Sequence, residues 1–394
     1  MSLGLYIAVP FCRTKCSYCN FASDVFSRAV FERYVERLVA DIDHAGETAE
    51  LMGGQLETRV DSVFLGGGTP TILDISQLER LFIKISQTFS VERDAEITVE
   101  CAPGTLSSAI IEVFQRCRVN RVSLGVQSFV DIEAASVGRL HKRATVLEDI
   151  ARLRAAGIEN INLDLIAGLP HQTSESWNFS LAEAIATGAP HISVYMLEVD
   201  DDSRLGRELM AGGTKYHAHF VPDEELIADF YETACQKLDG AGVCQYEISN
   251  FARPGQESRH NLKYWTRRPY MGFGVDAHST LPCSGQAGAA VRFSSPDSLD
   301  KYVSGALPTK MPVSSQAALE EAFFLGLRLN RGVDLEKVSA EFGEPAVDRC
   351  SDAISESGDA ALLQRDGNVI RLTPRGRLLS NEVFERFLTG ERVG

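Results

Sequence analysis

The stretch Cys12-Arg13-Thr14-Lys15-Cys16-Ser17-Tyr18-Cys19 places three thiols close together, with the spacing C-x3-C-x2-C. It follows the apolar run Leu5–Val9, which we interpret as the first strand of the fold. Structural zinc normally takes four ligands, but the next two positions are Asn20 and Phe21. Three cysteines that hold an iron–sulfur cluster instead leave one iron free for an exchangeable ligand. We therefore favour an iron–sulfur cluster on Cys12, Cys16 and Cys19 over zinc or a chance grouping.

Strands and helices alternate through the first half of the chain. The expected strands are Leu5–Val9, Val63–Leu65, Glu96–Cys101, Val122–Val126, Ile161–Ile166 and His191–Leu197. Strands separated by helices pair in parallel through right-handed crossovers. Six such units are too few for an eight-stranded barrel, so the pattern predicts an α/β fold, either a partial barrel or an open sheet. In both arrangements the functional site lies at the carboxyl ends of the strands.

The second half of the chain predicts an extension and a separate small unit. The small, polar, Gly/Ser-rich stretch Pro282–Pro296 is the best candidate for a linker, which we place at residues 283–296. We therefore expect a core over residues 1–282 and a C-terminal unit over residues 297–394. In that unit, Leu362–Arg365 and Val369–Leu372 flank a tight turn and predict a hairpin after several helices. Helices followed by a hairpin are typical of a winged-helix-like module.

Charge and cysteine content limit the classes of function. The 394 residues carry 39 Lys and Arg against 54 Asp and Glu, a net charge of −15. Such a balance disfavours binding to nucleic acid, which requires an extended basic surface. Nine cysteines in a long chain without an evident secretory leader predict a cytoplasmic protein with a metal or redox site. No apolar run reaches the roughly 18–20 residues of a membrane span.

The cysteine triplet, with an aromatic residue before its last cysteine, resembles the signature of the radical S-adenosylmethionine (SAM) superfamily. Gly66-Gly67-Gly68-Thr69-Pro70 follows the second strand. Taken alone, it is a glycine-rich turn of the kind that many α/β proteins contain. The resemblance implies a partial (β/α)6 TIM-like barrel and a [4Fe–4S] cluster whose open iron chelates SAM. In this superfamily the cluster donates an electron that cleaves SAM to a 5′-deoxyadenosyl radical.

Polar residues at strand ends resemble one branch of the superfamily, which contains anaerobic coproporphyrinogen III oxidase and its relatives. The similar strings are Val99-Glu100, Gly125–Phe129, Asp164–Pro170 and, near the C-terminus, Leu372–Gly376 and Leu379–Asn381. The residues that this resemblance implies for the SAM site are Tyr6, Tyr18, Gly67, Gly68, Thr69, Glu100, Gln127, Arg139 and Asp164. Without the resemblance, Glu100, Gln127, Arg139 and Asp164 are each equally well explained as a solvated or capped side chain.

Two features separate the members of this branch. The oxidases carry a further cysteine two residues after the third, where this chain has Phe21. The string His260-Asn261-Leu262-Lys263-Tyr264-Trp265 matches the H-N-x-x-Y-W string of haem-chaperone relatives. Histidine is a common axial ligand of haem iron, and Tyr264 and Trp265 offer flat faces to a porphyrin.

Two arginines and a second histidine that follow this string are further candidates for contacts with haem. Arg267 and Arg268 follow it and could pair with haem propionates. His278, in a string similar to a family G-x-x-A-H-S pattern, ranks second to His260 as a haem ligand. The alternative interpretation is that His260, Tyr264 and Trp265 are structural core residues.

The favoured function is a haem chaperone that binds haem and passes it to an acceptor haem protein, for which a respiratory, membrane-proximal protein is expected. The resemblance implies [4Fe–4S], SAM and haem as cofactors, and an electron donor such as flavodoxin. The alternatives are an oxygen-independent coproporphyrinogen III oxidase, which decarboxylates propionates to vinyls, and a related radical SAM methyltransferase. The cluster motif does not separate these functions, because all three require it.

Overall fold

The computed structural model describes residues 1–283 and 289–388. The six expected strands are present and pair in parallel, in chain order. They are β1 (Leu3–Val9), β2 (Arg59–Gly67), β3 (Ser90–Cys101), β4 (Arg121–Gln127), β5 (Asn160–Ala167) and β6 (His191–Met196). Their carboxyl ends therefore lie along one edge. The predicted α/β class with six parallel strands is confirmed.

Amphipathic helices cover this sheet. They are α1 (Ala29–Asp43), α2 (Ala45–Met52), α3 (Ile75–Thr88), α4 (Ser108–Arg116), α5 (Asp131–Ser136), α6 (Arg143–Ala155) and α7 (Ser174–Ala186). Helix α3 shows why these segments are helical. Asp74 and Gln77 form a reciprocal capping box at its start, and Leu78, Leu81 and Ile85 recur at helical spacing on its buried face. Burial of that face against the sheet stabilises the helix far more than its intrinsic propensity.

The segment after β6 extends the sheet at both edges. It contains α8 (Arg204–Ala211), α9 (Glu224–Gly240), β7 (Cys244–Glu247), β8 (Asn250–Ala252), α10 (Arg259–Trp265), β9 (Tyr270–Phe273), β10 (His278–Pro282), β11 (Ala290–Ser294), α11 (Leu299–Val303) and β12 (Thr309–Val313). The strand order across the described sheet is β12-β11-β10-β9-β1-β2-β3-β4-β5-β6-β8-β7. The extension therefore places β9 to β12 beside β1, next to the strand that leads into the cysteine triplet.

The predicted linker over residues 283–296 is wrong for the part that the structure describes. Within it, β11 pairs with β10 on one side and with β12 on the other. Val291 and Phe293 are buried and their neighbours are partly exposed, which is the alternation of a sheet with one covered face. The alternation of buried and exposed residues was not recognised in the sequence, because the strand is short and small and polar residues flank it. Residues 284–288 of the predicted linker lie outside the described residues.

The C-terminal unit begins later than residue 297. Tyr302 of α11 still packs on Tyr34 of α1, and its hydroxyl donates to the Asp41 carboxylate at 2.5 Å. The elements that follow are α12 (Ser315–Leu327), β13 (Val333–Asp334), α13 (Leu335–Phe342), α14 (Glu344–Asp348), α15 (Ser351–Asp359), β14 (Leu363–Asp366), β15 (Val369–Leu372), α16 (Pro374–Leu378) and α17 (Ser380–Arg386).

These C-terminal elements enclose a second apolar core. Its buried residues run from Leu319 to Phe387 and include Ile248 of the main domain. The predicted hairpin is confirmed, since β14 and β15 are antiparallel and Asp366 pairs with Val369 across the turn. Arg328 also forms an ion pair with the buried Glu247 at 3.5 Å, which ties the small unit to the main domain. None of the helices in residues 1–283 and 289–388 is long and apolar enough to cross a membrane.

Candidate functional site

The cysteine triplet lies in the loop that follows β1, at the carboxyl edge of the sheet. The Cys12 amide donates to the Asp24 carbonyl at 3.0 Å, and the Asp24 amide donates to the Pro10 carbonyl at 3.0 Å, so the loop closes on itself. All three thiols are free and partly exposed. Burial raises the pKa of the Cys12 thiol, and the neighbouring Cys19 and Cys16 thiols raise it further. The loop therefore brings the three sulfur atoms close enough to interact.

The glycine-rich segment after β2 lies directly against this loop. The Gly68 amide donates to the Val9 carbonyl at 2.8 Å, and the Thr69 amide donates to the Phe11 carbonyl at 2.8 Å. A Cβ atom on Gly68 would lie 2.7 Å from the Phe11 carbonyl oxygen and 3.0 Å from the Cys12 sulfur. Only glycine allows the two loops to approach this closely.

The three cysteine thiols are suitable ligands for an iron–sulfur cluster. Three thiols share one short loop, and thiolates are the usual protein ligands of such clusters. In residues 1–283 and 289–388, no three His, Cys, Asp or Glu side chains are grouped as they would be around a single metal ion. The spacing of Cys12, Cys16 and Cys19 therefore does not match a site for a single metal ion, and these residues remain the predicted ligands of a cluster.

Arg139 lies in the loop between α5 and α6, and this loop contacts the cysteine loop through the Thr14 hydroxyl, which donates to the Gly138 carbonyl at 3.0 Å. Arg139 has a raised pKa, because Tyr18, Cys16 and Asp164 outweigh the opposing effect of burial. Its buried Nε atom has no hydrogen-bond partner among the described residues. Gly125 leaves room for it, since a Cβ there would lie 2.6 Å from the Arg139 guanidinium. An unpartnered buried cation next to the thiols is suited to an anionic group such as the carboxylate of SAM.

Two carboxyl groups line the inside of the parallel strands. Burial and the negative charge of Asp164 raise the pKa of Glu100 to about 8, although the Gly67 amide donates to its carboxylate at 3.1 Å. Burial also raises the pKa of Asp164, which accepts hydrogen bonds from Ser123 at 2.9 Å and Asn162 at 2.8 Å. Carboxyl groups whose pKa values burial has raised are typical of binding or catalytic sites.

Gln127 is the last residue of β4 and has an unusual backbone conformation. Its φ angle is 66°, in the left-handed region that non-glycine residues rarely occupy, and the pairing with β5 shifts register there. The Ser128 amide donates to the Val126 carbonyl at 2.8 Å and closes a tight turn around it. Strained backbone of this kind is concentrated at ligand sites.

The structure brings part of the predicted SAM set and part of the predicted haem set into the same small cavity. This cavity has a volume of about 180 Å³ and lies among the parallel strands. Tyr6, Glu100 and Asp164 line it, and so do His260 and Tyr264. Trp265 instead lines a separate, larger cleft. The H-N-x-x-Y-W string therefore spans two cavities.

His260 is held inside the protein and both of its ring nitrogens are engaged. Its exposed fraction is 1%. Nδ1 lies 3.1 Å from the Ser62 hydroxyl and Nε2 lies 2.7 Å from the Tyr264 hydroxyl. The ring packs on Phe64, and burial and nearby cations lower its pKa to about 3. In this geometry His260 would have to break one of these two hydrogen bonds to coordinate an iron, and its ring would have to become accessible.

The helix that carries His260 is anchored by a carboxylate that the sequence argument missed. Glu96 of β3 accepts hydrogen bonds from the Ser258 hydroxyl and from the backbone amides of Arg259 and His260, at 3.0 to 3.3 Å. A negative charge at the first turn of a helix satisfies its free amides and complements its dipole. The sequence signal was Glu96 itself, a charged residue next to the apolar part of β3.

A buried polar network on the strands was also missed. Asn162 accepts from Ser193 at 3.2 Å and lies 2.6 Å from His191 Nδ1, and Ser193 donates to Asn250 at 2.7 Å. Arg121 is 2% exposed and its Nε atom has no partner among the described residues. Alternating polar residues such as Asn160-Ile161-Asn162-Leu163-Asp164 were the available signal, because a strand turns every second side chain to the same face.

Comparison with known proteins identifies the family. A model of the radical SAM superfamily matches residues 6–182, and a model of the HemN C-terminal domain matches residues 313–379. The chain is 34% identical to the heme chaperone HemW of Lactococcus lactis over 388 residues, which cover 97% of this chain and 96% of that protein. The chain belongs to the HemW family of the radical SAM superfamily.

Other HemW relatives match over the same extent. The chain is 33% identical to HemW of Bacillus subtilis, with 97% and 98% of the two chains covered, and 31% identical to HemW of Escherichia coli, with 98% of each covered. The fold resembles that of coproporphyrinogen III oxidase (HemN) from E. coli, with a TM-score of 0.82, 22% identity, and coverage of 98% of this chain and 90% of that one. Membership of the superfamily implies a [4Fe–4S] cluster and SAM. The three thiols described above are suitable ligands for the cluster, and the Arg139 guanidinium is suited to the carboxylate of SAM.

Proposed function

We propose that this protein is a haem chaperone, which binds haem and passes it to an acceptor haem protein. The observation that carries the proposal is the similarity over nearly the whole length to proteins named heme chaperone HemW, in both the N-terminal and the C-terminal parts. The protein also has space for a cargo, because a cleft of about 1720 Å³ opens beside Trp265. Small-molecule pockets usually occupy roughly 300–1,000 Å³.

The residues around the cysteine loop have a supporting role in this proposal. Cys12, Cys16 and Cys19 would hold the [4Fe–4S] cluster, and Arg139, Glu100 and Asp164 would bind SAM beside it. When bound, the cluster and SAM supply one-electron reductive chemistry. The chain's own contribution is to fix the thiols through the Gly68 contact and to keep Glu100 protonated near neutral pH. Haem transfer itself requires binding and release of a cargo rather than turnover of a substrate.

The partners follow from the same function. The acceptor would be a haem protein, for which we retain a respiratory protein as the expectation. An electron donor such as flavodoxin would reduce the cluster. The net charge of −15 disfavours nucleic acid as a partner.

The second candidate is oxygen-independent coproporphyrinogen III oxidase. The fold similarity to HemN favours it, although 22% identity supports the fold alone. Phe21, which is 66% exposed, occupies the position at which the oxidases carry a further cysteine. A phenyl ring cannot ligate iron, so this chain departs from the oxidases at a position inside the cluster loop.

An anaerobic assay separates the two functions. The cluster is reconstituted, and the protein is given coproporphyrinogen III with SAM and a reductant, or haemin in a parallel sample. We expect haemin to remain bound after desalting and no accumulation of protoporphyrinogen beyond one equivalent. Multiple turnovers of coproporphyrinogen III would contradict the chaperone function. A Cys16→Ala variant provides the control for chemistry that depends on the cluster.

A further inference from the structure

The large cleft lies between the sheet extension and the C-terminal unit. One wall is the outer face of β9 to β12. On β10 the exposed or partly exposed His278 and Thr280 alternate with the buried Ser279 and Leu281, so His278 and Thr280 share the face that lines the cleft. Thr280 pairs with Tyr270 on one side and Arg292 on the other, and both of these also line the cleft.

The opposite wall is apolar and aromatic. Phe324 and Leu325 of α12 and Val338 of α13 face the sheet across the cleft, and Trp265 closes one end. The Arg328 guanidinium lies 4.3 Å from the centre of the Trp265 ring and holds it in place. The indole Nε1 of Trp265 is buried without a hydrogen-bond acceptor among the described residues. The cleft thus has flat apolar surfaces.

The cationic residues of the cleft are not all neutralised. Arg267 pairs with Glu341 at 3.1 Å, Arg292 with Glu321 at 2.9 Å, and Lys337 with Asp334 at 3.5 Å. The fourth lining carboxylate, Glu57, accepts from the Arg59 amide at 3.0 Å.

Two exposed cations remain. Arg268 and Arg331 form no side-chain ion pair within the described part of the chain. Two free guanidinium groups in an otherwise acidic protein match a ligand with two carboxylates.

His278 is accessible in this cleft, in contrast to His260. Its side chain is 51% exposed, and the Asp276 carboxylate lies 3.9 Å from its Nε2 atom. Histidines that bind metals commonly have a carboxylate beside the ring, which orients it. His260 is 1% exposed and both of its nitrogens are hydrogen-bonded to protein groups. The accessible imidazole of the cleft is therefore the one that the sequence argument ranked second.

We propose that haem binds in this cleft, with His278 as an axial ligand of the iron and with Arg268 and Arg331 as partners of the two propionates. The inference rests on the proposed chaperone function and specifies its cargo site. The cleft suits the amphipathic shape of haem, because the macrocycle would lie on Trp265 and the apolar wall while the propionates meet the free arginines. On this account His260 is a positioning residue, since its Nε2 lies 2.7 Å from the hydroxyl of Tyr264, which lines both the cleft and the small cavity.

The test is a haemin titration of the full-length protein, monitored by the Soret band after desalting. His278→Ala should weaken haemin binding at least tenfold and remove the spectrum of imidazole-ligated iron, and free imidazole should restore that spectrum. The matched control is His219→Ala, which removes an exposed histidine elsewhere. The double variant Arg268→Ala/Arg331→Ala should also weaken binding at least tenfold, whereas Arg33→Ala/Arg93→Ala, with the same charge change on exposed sites, should not.

The outcomes separate the site from the function. If the wild type retains haemin and His278→Ala has the same affinity and spectrum, the site is wrong and the chaperone function stands. If His260→Ala, and not His278→Ala, loses the imidazole signature, the ligand assignment is likewise overturned. If the wild type does not retain haemin at all, the proposed function falls and this inference falls with it.

Discussion

Replacement of Gly68 by alanine tests whether close approach of the two loops positions the cluster ligands. The new methyl group would lie 2.7 Å from the Phe11 carbonyl oxygen, 2.8 Å from the Val9 carbonyl oxygen and 3.0 Å from the Cys12 sulfur. Ordinary contacts of this kind are longer, and two of the three neighbours are backbone atoms that cannot rotate away. The loop that carries Cys12 must therefore move.

The size of the effect follows from these contacts. The carbonyls that the methyl group would displace are the acceptors of the Gly68 and Thr69 amides at 2.8 Å. Overpacking in a tight site costs about 1–3 kcal/mol. Weakening two backbone hydrogen bonds adds about 1 kcal/mol each. We expect Gly68→Ala to lower the free energy of unfolding of the cluster-free protein by about 3–5 kcal/mol.

Urea denaturation and iron analysis provide the readouts. Gly46→Ala is the matched control, because a Cβ there meets nothing within 4 Å and the residue lies in helix α2. That control should be neutral or slightly stabilising, since alanine favours a helix over glycine by about 1 kcal/mol. Gly68→Ala should also bind less than half of the iron and sulfide of the control after reconstitution. Equal stability and equal iron content in the two variants would refute the role of the Gly68 contact.

Three further predictions concern single residues. Cys16→Ala should abolish stoichiometric iron and sulfide, whereas Cys244→Ala, at an exposed thiol, should retain both; equal retention by the two variants would exclude the triplet as the ligand set. Glu100 has a pKa raised to about 8, so the folded protein keeps a proton that the unfolded chain releases near pH 4.5, and this contribution to stability is lost as the pH rises through 8. Relative to Glu100→Gln, the wild type should therefore lose on the order of a few kcal/mol between pH 5 and pH 9, and parallel stability curves would contradict the raised pKa. His260→Ala should lower the free energy of unfolding by about 2–4 kcal/mol, because it removes a buried ring and two hydrogen bonds; a neutral effect on the denaturation midpoint would contradict the structural role.

The parallel half of the fold was predictable because its signals are local. The six strands contain short apolar or alternating runs, and the segments between them contain apolar residues at helical spacing. The strand β11 was not predictable by the same argument. Its apolar residues Val291 and Phe293 alternate over only a few positions among small and polar neighbours, and its pairing with β10 and β12 is fixed by tertiary contacts.

The site was predictable where the chemistry is concentrated in one segment. The cysteine triplet and Gly67-Gly68-Thr69 contact residues that are close in the chain or that follow the adjacent strand. The position of His260 depends instead on which side of a short helix faces the sheet, and Glu96 determines this from a distant strand. Sequence patterns do not encode such long-range anchoring, so neither the burial of His260 nor the exposure of His278 was predictable from the sequence.

Haem retention by the wild-type protein tests the central claim most directly. The protein with a reconstituted cluster is mixed anaerobically with excess haemin and passed through a gel-filtration column, and haem and protein are quantified in the same fractions. The chaperone function predicts about one haem per chain co-eluting with the protein. Haemin that elutes entirely as the free form, with the protein fractions devoid of a Soret band, would contradict the account.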